Sequence, residues 1–308
     1  MPPLLSVGLP VHNGEKYLRE SIESILTQSF HDFELIISDN ASTDRTKEIC
    51  LEYASRDRRV RYHRNNENIG GARNANLTFR MARGKYFRWA AHDDICEPTL
   101  FQECIAILEN DSSVILCYSM SCAIDGKGKQ LGIKSWDKAS MENACNRFEN
   151  LTRYDHHCEA IYGIIRSVIL SDTRLNLDYT GSDRTLLSIL ALYGRFFEVK
   201  QPLFLKRFHE ENVYSDWRER MAWFNPTLAG KIVFPHWLHF FDYMISLRRV
   251  QVPWLVRFRC YAFICTRWIL ANGGPMIKDL GVALGRLLAR FAPLRTKKES
   301  NQIFHSSL

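Results

Sequence analysis

The chain has 308 residues, 46% of them hydrophobic, which predicts one large domain, or a domain with an appendage, and excludes disorder over the whole chain. The net charge of +7 is uneven: residues 218–298 hold 14 basic and 3 acidic residues, and the rest of the chain is net negative. Nine cysteines without a CxxC pair indicate buried, reduced thiols. No basic segment followed by an apolar one opens the chain, so no secretory signal is predicted.

Strands and helices alternate along the first part of the chain. Short apolar stretches predict strands at 4–10, 33–39, 85–91 and 113–119, and VRYHR (60–64) is a candidate for a further strand. Segments with apolar residues every three to four positions predict helices at 14–29, 42–54, 68–84 and 98–110. Ser42 or Thr43 is expected to cap the second helix, and Pro98 to lie in the first turn of the fourth. This alternation predicts an α/β fold with a mostly parallel sheet.

The second part of the chain is more varied. Residues 127–160 show no regular pattern, whereas 181–194 predicts a helix and RFFEV (195–199) a strand. From about residue 216, aromatic residues and arginines interleave, and arginine interrupts every apolar run, which argues against a transmembrane helix. This composition predicts a helical, basic and aromatic extension on an anionic membrane surface. We therefore expect two parts, residues 1–215 and residues 216–308.

Polar motifs follow the predicted strands, where ligands bind in parallel α/β sheets. PVHN follows the first strand, DNASTD the second and HDD the fourth. Asp39 could accept the imide N–H of uracil or thymine, and Asp93 could hold Mg²⁺ or Mn²⁺, which bridge carboxylates to phosphates. Taken singly, each acid is as well explained as a turn or capping residue; together they favour a nucleotide-diphosphate site. NIGGARN lacks the GxGxxG spacing of a dinucleotide loop.

Several motifs in order resemble one family. The opening SVGLPVHNGEKYLRESIESILTQSFHDFELIISDNASTDRT is followed by NENIGGARNAN, ARGKYFRWAAHDD, YGIIRSVIL and GSDRTLLSILALYGRF. Over about residues 4–215 the chain resembles the family 2 glycosyltransferases, in particular those that build bacterial surface polysaccharides. The resemblance implies a GT-A fold, which has a Rossmann-like, mostly parallel central sheet flanked by helices.

The resemblance also implies the residues of a nucleotide-sugar site. Asp39 would hold the base, with Arg73 beside it. Arg207 and His209 would reach the diphosphate or the metal when a loop closes, whereas without the family the same stretch reads as a solvated loop. The remaining nucleoside pocket would be lined by Pro10, Val11, Asn13 and Glu15.

The metal site is expected at the HDD motif. His92 and Asp93 fall on the DXD motif of the family, so that Asp93 would be the principal ligand of Mg²⁺ or Mn²⁺. The chain departs from the family pattern at Ala91, where an acid is usual, and the site has lost one carboxylate. Asp94 or His92 is left open as an additional ligand, although second-shell hydrogen bonding is favoured for the histidine. Zinc at the pair His156–His157 is not expected.

The catalytic base is expected at GSDRTLL. Asp183 falls where the family places the acid that activates the acceptor, and Ser182 replaces the first acid of the usual ED pair. In an inverting transfer this carboxylate takes the proton of the acceptor hydroxyl as its oxygen attacks the anomeric carbon. The alternative is an acid that only interacts favourably with the helix dipole.

The expected activity is inverting transfer from a UDP- or dTDP-sugar to a hydroxyl of a lipid-linked or surface glycan. We expect a cytoplasmic protein on the cytoplasmic face of the membrane and no nucleic-acid partner. Ala91 and Ser182 leave an alternative, a catalytically silent subunit that binds nucleotide sugars or glycans in a polysaccharide assembly complex. The sugar, the acceptor and the linkage are not encoded in any motif that we recognise.

Overall fold

A computed structural model describes residues 1–137, 139–153, 158–209, 221, 223–228 and 231–291. Within these residues, nine strands form one sheet. They are β1 (Leu5–Val11), β2 (Phe33–Asp39), β3 (Val60–Arg64), β4 (Tyr86–Trp89), β5 (Ile95–Cys96), β6 (Val114–Asp125), β7 (Gln130–Lys134), β8 (Ile164–Arg166) and β9 (Arg195–Phe208). The order along the sheet is β3, β2, β1, β4, β8, β6, β9 and β5, and β7 pairs with β6.

Ten α-helices accompany the sheet in the described residues. They are α1 (Leu18–Leu26), α2 (Thr46–Arg56), α3 (Gly71–Arg80), α4 (Leu100–Asn110), α5 (Ala144–Arg153), α6 (Ser167–Ser171), α7 (Ser182–Tyr193), α8 (Pro235–Arg249), α9 (Trp254–Phe263) and α10 (Ile269–Phe291). A π-helical turn, Ile264–Trp268, joins α9 to α10, and short 3₁₀ turns occupy Glu159–Tyr162 and Pro226–Leu228.

The sheet is mostly parallel, as predicted. Strands β3, β2, β1 and β4 pair in parallel, and β6 pairs in parallel with β9. Strand β8 lies antiparallel between β4 and β6, so six strands share one direction. The register aligns Val11 with Asp39, and Asp39 with Arg64, so the ends of β1, β2 and β3 meet at one edge.

The start of α2 differs from the prediction. The helix begins at Thr46, and neither Ser42 nor Thr43 caps it; Asp44 instead accepts a hydrogen bond from the Thr46 N–H at 3.0 Å. Ser42 is used elsewhere, because its hydroxyl accepts the N–H of Asn13 at 2.9 Å. The polar side chains before α2 thus tie the loop after β2 to the loop after β1, rather than close the helix.

Three other local predictions need correction. Helix α4 begins at Leu100, so Pro98 precedes the helix instead of lying in its first turn. Residues 127–160 contain β7 and α5, which the sequence did not predict. Every residue of β7 is exposed, so the strand has no buried face to produce an alternating pattern. Strand β9 continues to Phe208, well beyond the predicted end at 199.

The core has three parts. One cluster packs β1, β2 and β4 against α1, α2 and α4, and a second packs the strands against α7 and the 3₁₀ turn before β8. The third joins α5 and α7 to α8, α9 and α10 through Phe148, Tyr243, Phe263 and Trp268. The C-terminal helices therefore share a core with the helix that carries Asp183.

Two further expectations bear on the C-terminal region and the thiols. The expected boundary at 215/216 lies outside the described residues, as does His156–His157. In the part of the chain that the structure describes, no helix is both long and apolar enough to cross a membrane. All nine cysteines lie in the described residues and none is in a disulfide; eight are buried and Cys265 is exposed.

Candidate active site

The loops after β1 and β2 are joined by hydrogen bonds. Asn13 adopts a left-handed backbone conformation, with φ of 53°, and its side-chain oxygen accepts the N–H of Thr43 at 2.8 Å. The N–H of Gly14 donates to the hydroxyl of Thr46 at 2.9 Å, and Glu15 accepts the N–H of Arg45 at 3.0 Å. Two of the expected nucleoside residues, Asn13 and Glu15, are therefore held by main-chain N–H groups of the loop that precedes α2.

Asp39 is fully buried at the end of β2, where donors surround its carboxylate. One oxygen accepts the N–H of Ser42 at 2.8 Å; the other accepts the Tyr62 hydroxyl at 2.8 Å and the guanidinium of Arg64. Burial opposes ionisation, but the hydrogen bonds from Ser42, Tyr62 and Arg64 outweigh it and hold the pKa of Asp39 below its ordinary value. A base N–H would share this ionised acceptor with groups already in place.

Arg64, rather than Arg73, is the arginine that contacts Asp39. Arg73 lies on α3 and forms an ion pair with Asp178 at 2.6 Å. The role of Arg73 at the base remains a prediction, which would require the side chain to leave Asp178. The register of β2 with β3 identifies Arg64, because Arg64 stands directly beside Asp39.

The HDD motif forms a turn that Arg207 holds from β9. The Arg207 main-chain N–H donates to Asp94 at 2.8 Å, and its guanidinium donates to the carbonyl of Asp93 at 2.8 Å and to Glu20 at 2.6 Å. The guanidinium also lies over the ring of Tyr17, 4.6 Å from the centroid. Arg207 is buried, so in this arrangement it positions the turn; its contact with a diphosphate remains a prediction.

Ala91, which stands where the family usually has an acid, takes part in the site region only through its main chain. The Ala91 carbonyl accepts the hydroxyl of Ser21 on α1 at 2.8 Å. His92 lies against the loop after β1, because a Cβ added at Gly14 would stand 2.9 Å from the His92 ring. Glycine at position 14 therefore lets His92 approach the loop that carries Asn13.

Asp93 and His209 form the part of the site that could hold a divalent metal. His209 Nε2 lies 3.0 Å from Asp93 Oδ2, and both residues are largely buried. No group of three or more His, Cys, Asp or Glu side chains in the described ranges is arranged to hold a metal ion. Mg²⁺ and Mn²⁺ sites often use one or two carboxylates together with substrate phosphates, so this pair fits such an ion.

Asp94 is buried beside Asp93. Its burial, followed by the negative charge of Asp93, raises the pKa of Asp94 above its ordinary value, although the Arg207 N–H and the charge of Lys206 partly offset these effects. Asp94 thus supports the HDD turn by accepting the main-chain N–H of Arg207.

Asp183 lies in the first turn of α7, as the sequence predicted. Gly181, with φ of 89°, provides the sharp entry to the helix. Burial raises the pKa of Asp183, and the N–H of Arg184, 2.9 Å from Asp183 Oδ1, only partly offsets it. A carboxylate with a raised pKa is a stronger base, which suits proton removal from a hydroxyl.

The buried phenol of Tyr162 is affected by the charges of three aspartates. Burial raises the pKa of Tyr162, and the carboxylates of Asp94, Asp93 and Asp183 each raise it further. The charges of the expected metal ligand and of the expected base thus both act on one phenol, although the two acids are 90 positions apart in the chain. Tyr162 belongs to the 3₁₀ turn before β8 and opens the motif YGIIRSVIL, for which the sequence predicted no site residue.

Lys206 is a second residue that sequence reasoning missed. Its positive charge lowers the pKa of both Asp94 and Asp183, against the opposing effect of burial on each. Lys206 also lies 3.5 Å from Glu159. The clue in the sequence is the alternation along β9, which sends Lys206 and Arg207 to opposite faces of the sheet.

The sequence itself matches a known family. A model of glycosyl transferase family 2 covers residues 6–163, which is more than half of the chain. The chain therefore belongs to glycosyl transferase family 2. The matched residues include Asp39 and Asp93, whereas Asp183 lies beyond them.

Relatives of the chain carry similar descriptions. An uncharacterised glycosyltransferase of Methanocaldococcus jannaschii is 37% identical over 131 residues, which are 42% of this chain and 45% of that protein. The chondroitin synthase of Escherichia coli is 32% identical over 157 residues, 49% of this chain and 23% of that protein. The matched stretch thus spans less than half the length of these relatives.

Solved structures support the fold over most of the chain. S. aureus TarS in complex with UDP superposes with a TM-score of 0.61 at 15% identity, over 87% of this chain and 72% of that one. A mannosyltransferase of Pyrobaculum calidifontis in complex with GDP-Man and Mn²⁺ gives 0.54 at 17% identity, over 96% and 83%. The fold is thus GT-A-like, with a helical C-terminal extension.

Proposed function

We propose that the protein is an inverting, metal-dependent glycosyltransferase that moves a sugar from a nucleotide diphosphate sugar to an acceptor hydroxyl. The observation that carries this proposal is that Asp39 and the HDD turn follow β2 and β4 at the same end of the parallel strands, with the charges of Asp93 and Asp183 both acting on the buried Tyr162. Such a transfer uses a metal ligand, a general base that takes the proton of the acceptor hydroxyl, and a carboxylate that binds the nucleobase.

The donor that we favour is a UDP- or dTDP-sugar. The ionised Asp39 is suited to accept the imide N–H that uracil and thymine share. TarS structures contain UDP or UDP-GlcNAc, whereas the mannosyltransferase structure contains GDP-Man, so the fold is compatible with either base class. We retain Arg73, Pro10, Val11, Asn13 and Glu15 as expected contacts of the nucleoside.

In the proposed reaction, Asp183 takes the proton of the acceptor hydroxyl while the hydroxyl oxygen attacks the anomeric carbon. The bond to the diphosphate oxygen breaks on the opposite face, which inverts the configuration. Asp93, with His209 beside it, would hold Mg²⁺ or Mn²⁺, which supplies positive charge to the leaving diphosphate. Lys206 lies close enough to Asp94 and Asp183 to add further positive charge there.

We further propose that the acceptor is a lipid-linked or surface glycan, and that the protein lies on the cytoplasmic face of an anionic membrane. Support comes from the charge asymmetry, with 14 basic and 3 acidic residues in 218–298. A basic surface is drawn to anionic lipids. An acceptor carried by the membrane would then be presented to a transferase already at that surface.

A silent nucleotide-sugar-binding subunit is the second candidate. It is favoured by Ala91 and Ser182, which stand where the family usually has acids. Such a subunit would bind a nucleotide sugar and neither hydrolyse nor transfer it.

Calorimetry of the purified full chain against UDP, dTDP and GDP, each with Mn²⁺ and with chelator, tests the proposed site. We expect binding of UDP or dTDP that depends on Mn²⁺. This binding should be lost in Asp93→Asn and retained in the control Asp111→Asn, whose substitution lies directly after α4. Failure of every nucleotide to bind a folded sample would overturn the proposed donor site. Hydrolysis of the matching UDP- or dTDP-sugars by wild type, absent in Asp183→Asn, would separate the enzyme from the silent subunit.

A further inference from the structure

The C-terminal helices present apolar side chains to solvent along one face. On α10, Leu270 is 84% exposed and Ile277 is 71% exposed; Leu284 follows at the same spacing and is also exposed. Residues seven apart lie on one side of a helix, so these three side chains form a stripe. Exposed apolar patches of this kind mark interaction surfaces.

The π-helical turn extends this stripe onto α9. A π-helical turn takes one residue more than an α-helical turn and so rotates the residues before it relative to those after it. With that rotation, Leu255 and Phe258 of α9 fall on the same side as Leu270 and Ile277, and both are more than half exposed. We call the stripe formed by Leu255, Phe258, Leu270, Ile277 and Leu284 the outer face.

The opposite side of the same helices is packed against the protein. Phe263, Trp268 and Met276 are buried in the third core cluster with Tyr243 of α8 and Phe148 of α5. The helices therefore have one side fixed by packing and one apolar side turned outward, which is the arrangement of a helix lying in a membrane interface.

Charge around the outer face selects the occupant. Four basic residues lie between positions 254 and 284, and the only acid there, Asp279, accepts the main-chain N–H of His236. Three of these cations, Arg259, Arg267 and Lys278, are exposed. These cations lie on the same helices as the outer face, and Arg259 also lies 3.6 Å from Glu149 of α5. Apolar side chains beside exposed cations match a lipid surface with anionic headgroups, whereas a second copy of the chain would bring the same cations together.

We propose that the outer face of α9 and α10 is the surface by which the protein docks on an anionic lipid bilayer, with the helices parallel to the membrane plane. This inference gives a defined surface to the peripheral location proposed above and rests on it. The buried aromatic residues Tyr243, Phe263 and Trp268 belong to the core and take no part in lipid contact, whereas Phe258, which is 65% exposed, belongs to the outer face.

The test is flotation of the full-length protein with phosphatidylcholine vesicles that contain or lack phosphatidylglycerol. Wild type should float with the anionic vesicles, and less so at high salt. Leu270→Glu and Ile277→Glu should each lower the partition coefficient between vesicles and water about tenfold or more. Each variant loses an apolar side chain that would enter the bilayer, and it adds a negative charge that the anionic headgroups repel. Val168→Glu is the matched control, since Val168 is 68% exposed on α6, and it should float as wild type does.

The outcomes separate the alternatives. Wild type that does not float, or Ile277→Glu that floats as well as Val168→Glu, would overturn the proposal. A dimer in sedimentation velocity that Ile277→Glu dissociates, without vesicle binding by wild type, would assign the outer face to a second copy. Nucleotide calorimetry on Ile277→Glu distinguishes the two proposals, because we expect vesicle binding to fall while Mn²⁺-dependent nucleotide binding stays unchanged.

Discussion

The edge of the sheet around Asp39 and the packed C-terminal helices are held together by different forces. At the edge, ionised and polar side chains bind one another, as Asp39 does with Tyr62 and Arg64. In the C-terminal helices, aromatic rings meet instead, with Phe148 lying edge-on to Tyr243 at 5.9 Å between centroids. Ion pairs and hydrogen bonds therefore hold the first region, whereas apolar and aromatic packing holds the second.

This difference agrees with the two proposals, in which one region binds a base and the other a lipid surface. A carboxylate that must accept a base N–H has to stay ionised, so donors are kept beside it despite burial. Helices that lie on a lipid surface need a stable inner side and an apolar outer side, which aromatic packing and exposed aliphatic residues provide. The predictions below test this contrast, from the largest expected effect to the smallest.

The largest effect should come from the base itself. Asp183→Asn removes the proton acceptor, and we expect turnover of the nucleotide sugar to fall by about 10²–10⁴ with the fold retained. Glu103→Gln is the control, because Glu103 also lies in a first helical turn, that of α4, and it should keep wild-type turnover. Turnover by Asp183→Asn close to that of the control would remove Asp183 from the mechanism.

Because the pKa of Asp183 is raised above 3.8, the acidic limb of the rate profile should lie at a higher pH than for an ordinary aspartate. Activity should fall as the pH drops through this pKa, since the protonated acid accepts no proton. Stability should change with pH in the opposite direction to activity. The folded state binds this proton more tightly than the unfolded state, so the free energy of unfolding falls as the pH rises and the proton is released.

The next effect should be on the apolar packing of the C-terminal helices. Phe148→Ala leaves a cavity between α5 and α8, and we expect the free energy of unfolding to fall by about 3–5 kcal/mol. The measurement is denaturant unfolding followed by circular dichroism. Phe197→Ala, at a partly exposed position of β9, should cost much less, and equal losses would contradict the proposed contrast.

At the polar edge, Asp39→Asn should lower the free energy of unfolding at neutral pH by about 1.5–3 kcal/mol, because hydrogen bonds from Tyr62 and Arg64 lose a charged acceptor. Asp39 has a depressed pKa, so its contribution is present above its unfolded pKa and is lost as the pH falls through its folded pKa. The difference between wild type and variant should therefore shrink below about pH 4. Phe148→Ala should show no such pH dependence.

Arg207→Lys tests the support of the metal turn. The lysine cannot reproduce the contacts with the Asp93 carbonyl and Glu20, and we expect the Mn²⁺-dependent part of nucleotide affinity to fall by about 10–100-fold. Arg166→Lys is the matched control, because Arg166 binds the carbonyls of Val114 and Leu108 away from the HDD motif. Equal nucleotide affinity of the two variants would show that Arg207 does not position the metal site.

The smallest effect should be on the outer face. Ile277→Glu and Val168→Glu replace exposed side chains, so each should change the free energy of unfolding by no more than about 0.5 kcal/mol. The measurement is denaturant unfolding of both variants in the absence of lipid. A large loss in Ile277→Glu would mean that the outer face is packed in solution, which would contradict its assignment as a docking surface.

Much of the fold follows from local patterns in the sequence. The buried strands β1 and β2 are short segments rich in apolar residues, and helices α1 and α7 place apolar residues three to four positions apart. The period of an apolar pattern reports the element directly, because it reflects which side chains face the core. Strand β7 was missed for the same reason, since it has no buried face.

The sequence by itself determined the class of fold, the family motifs and the candidate residues Asp39, Asp93 and Asp183. Only the tertiary structure decided that Arg64 contacts Asp39, that Arg207 holds the HDD turn, and that Tyr162 and Lys206 lie among the acids. It also decided, through one π-helical turn, which apolar side chains of α9 and α10 face outward together. These contacts join residues far apart in the chain, and local periodicity carries no information about the register and rotation that bring them together.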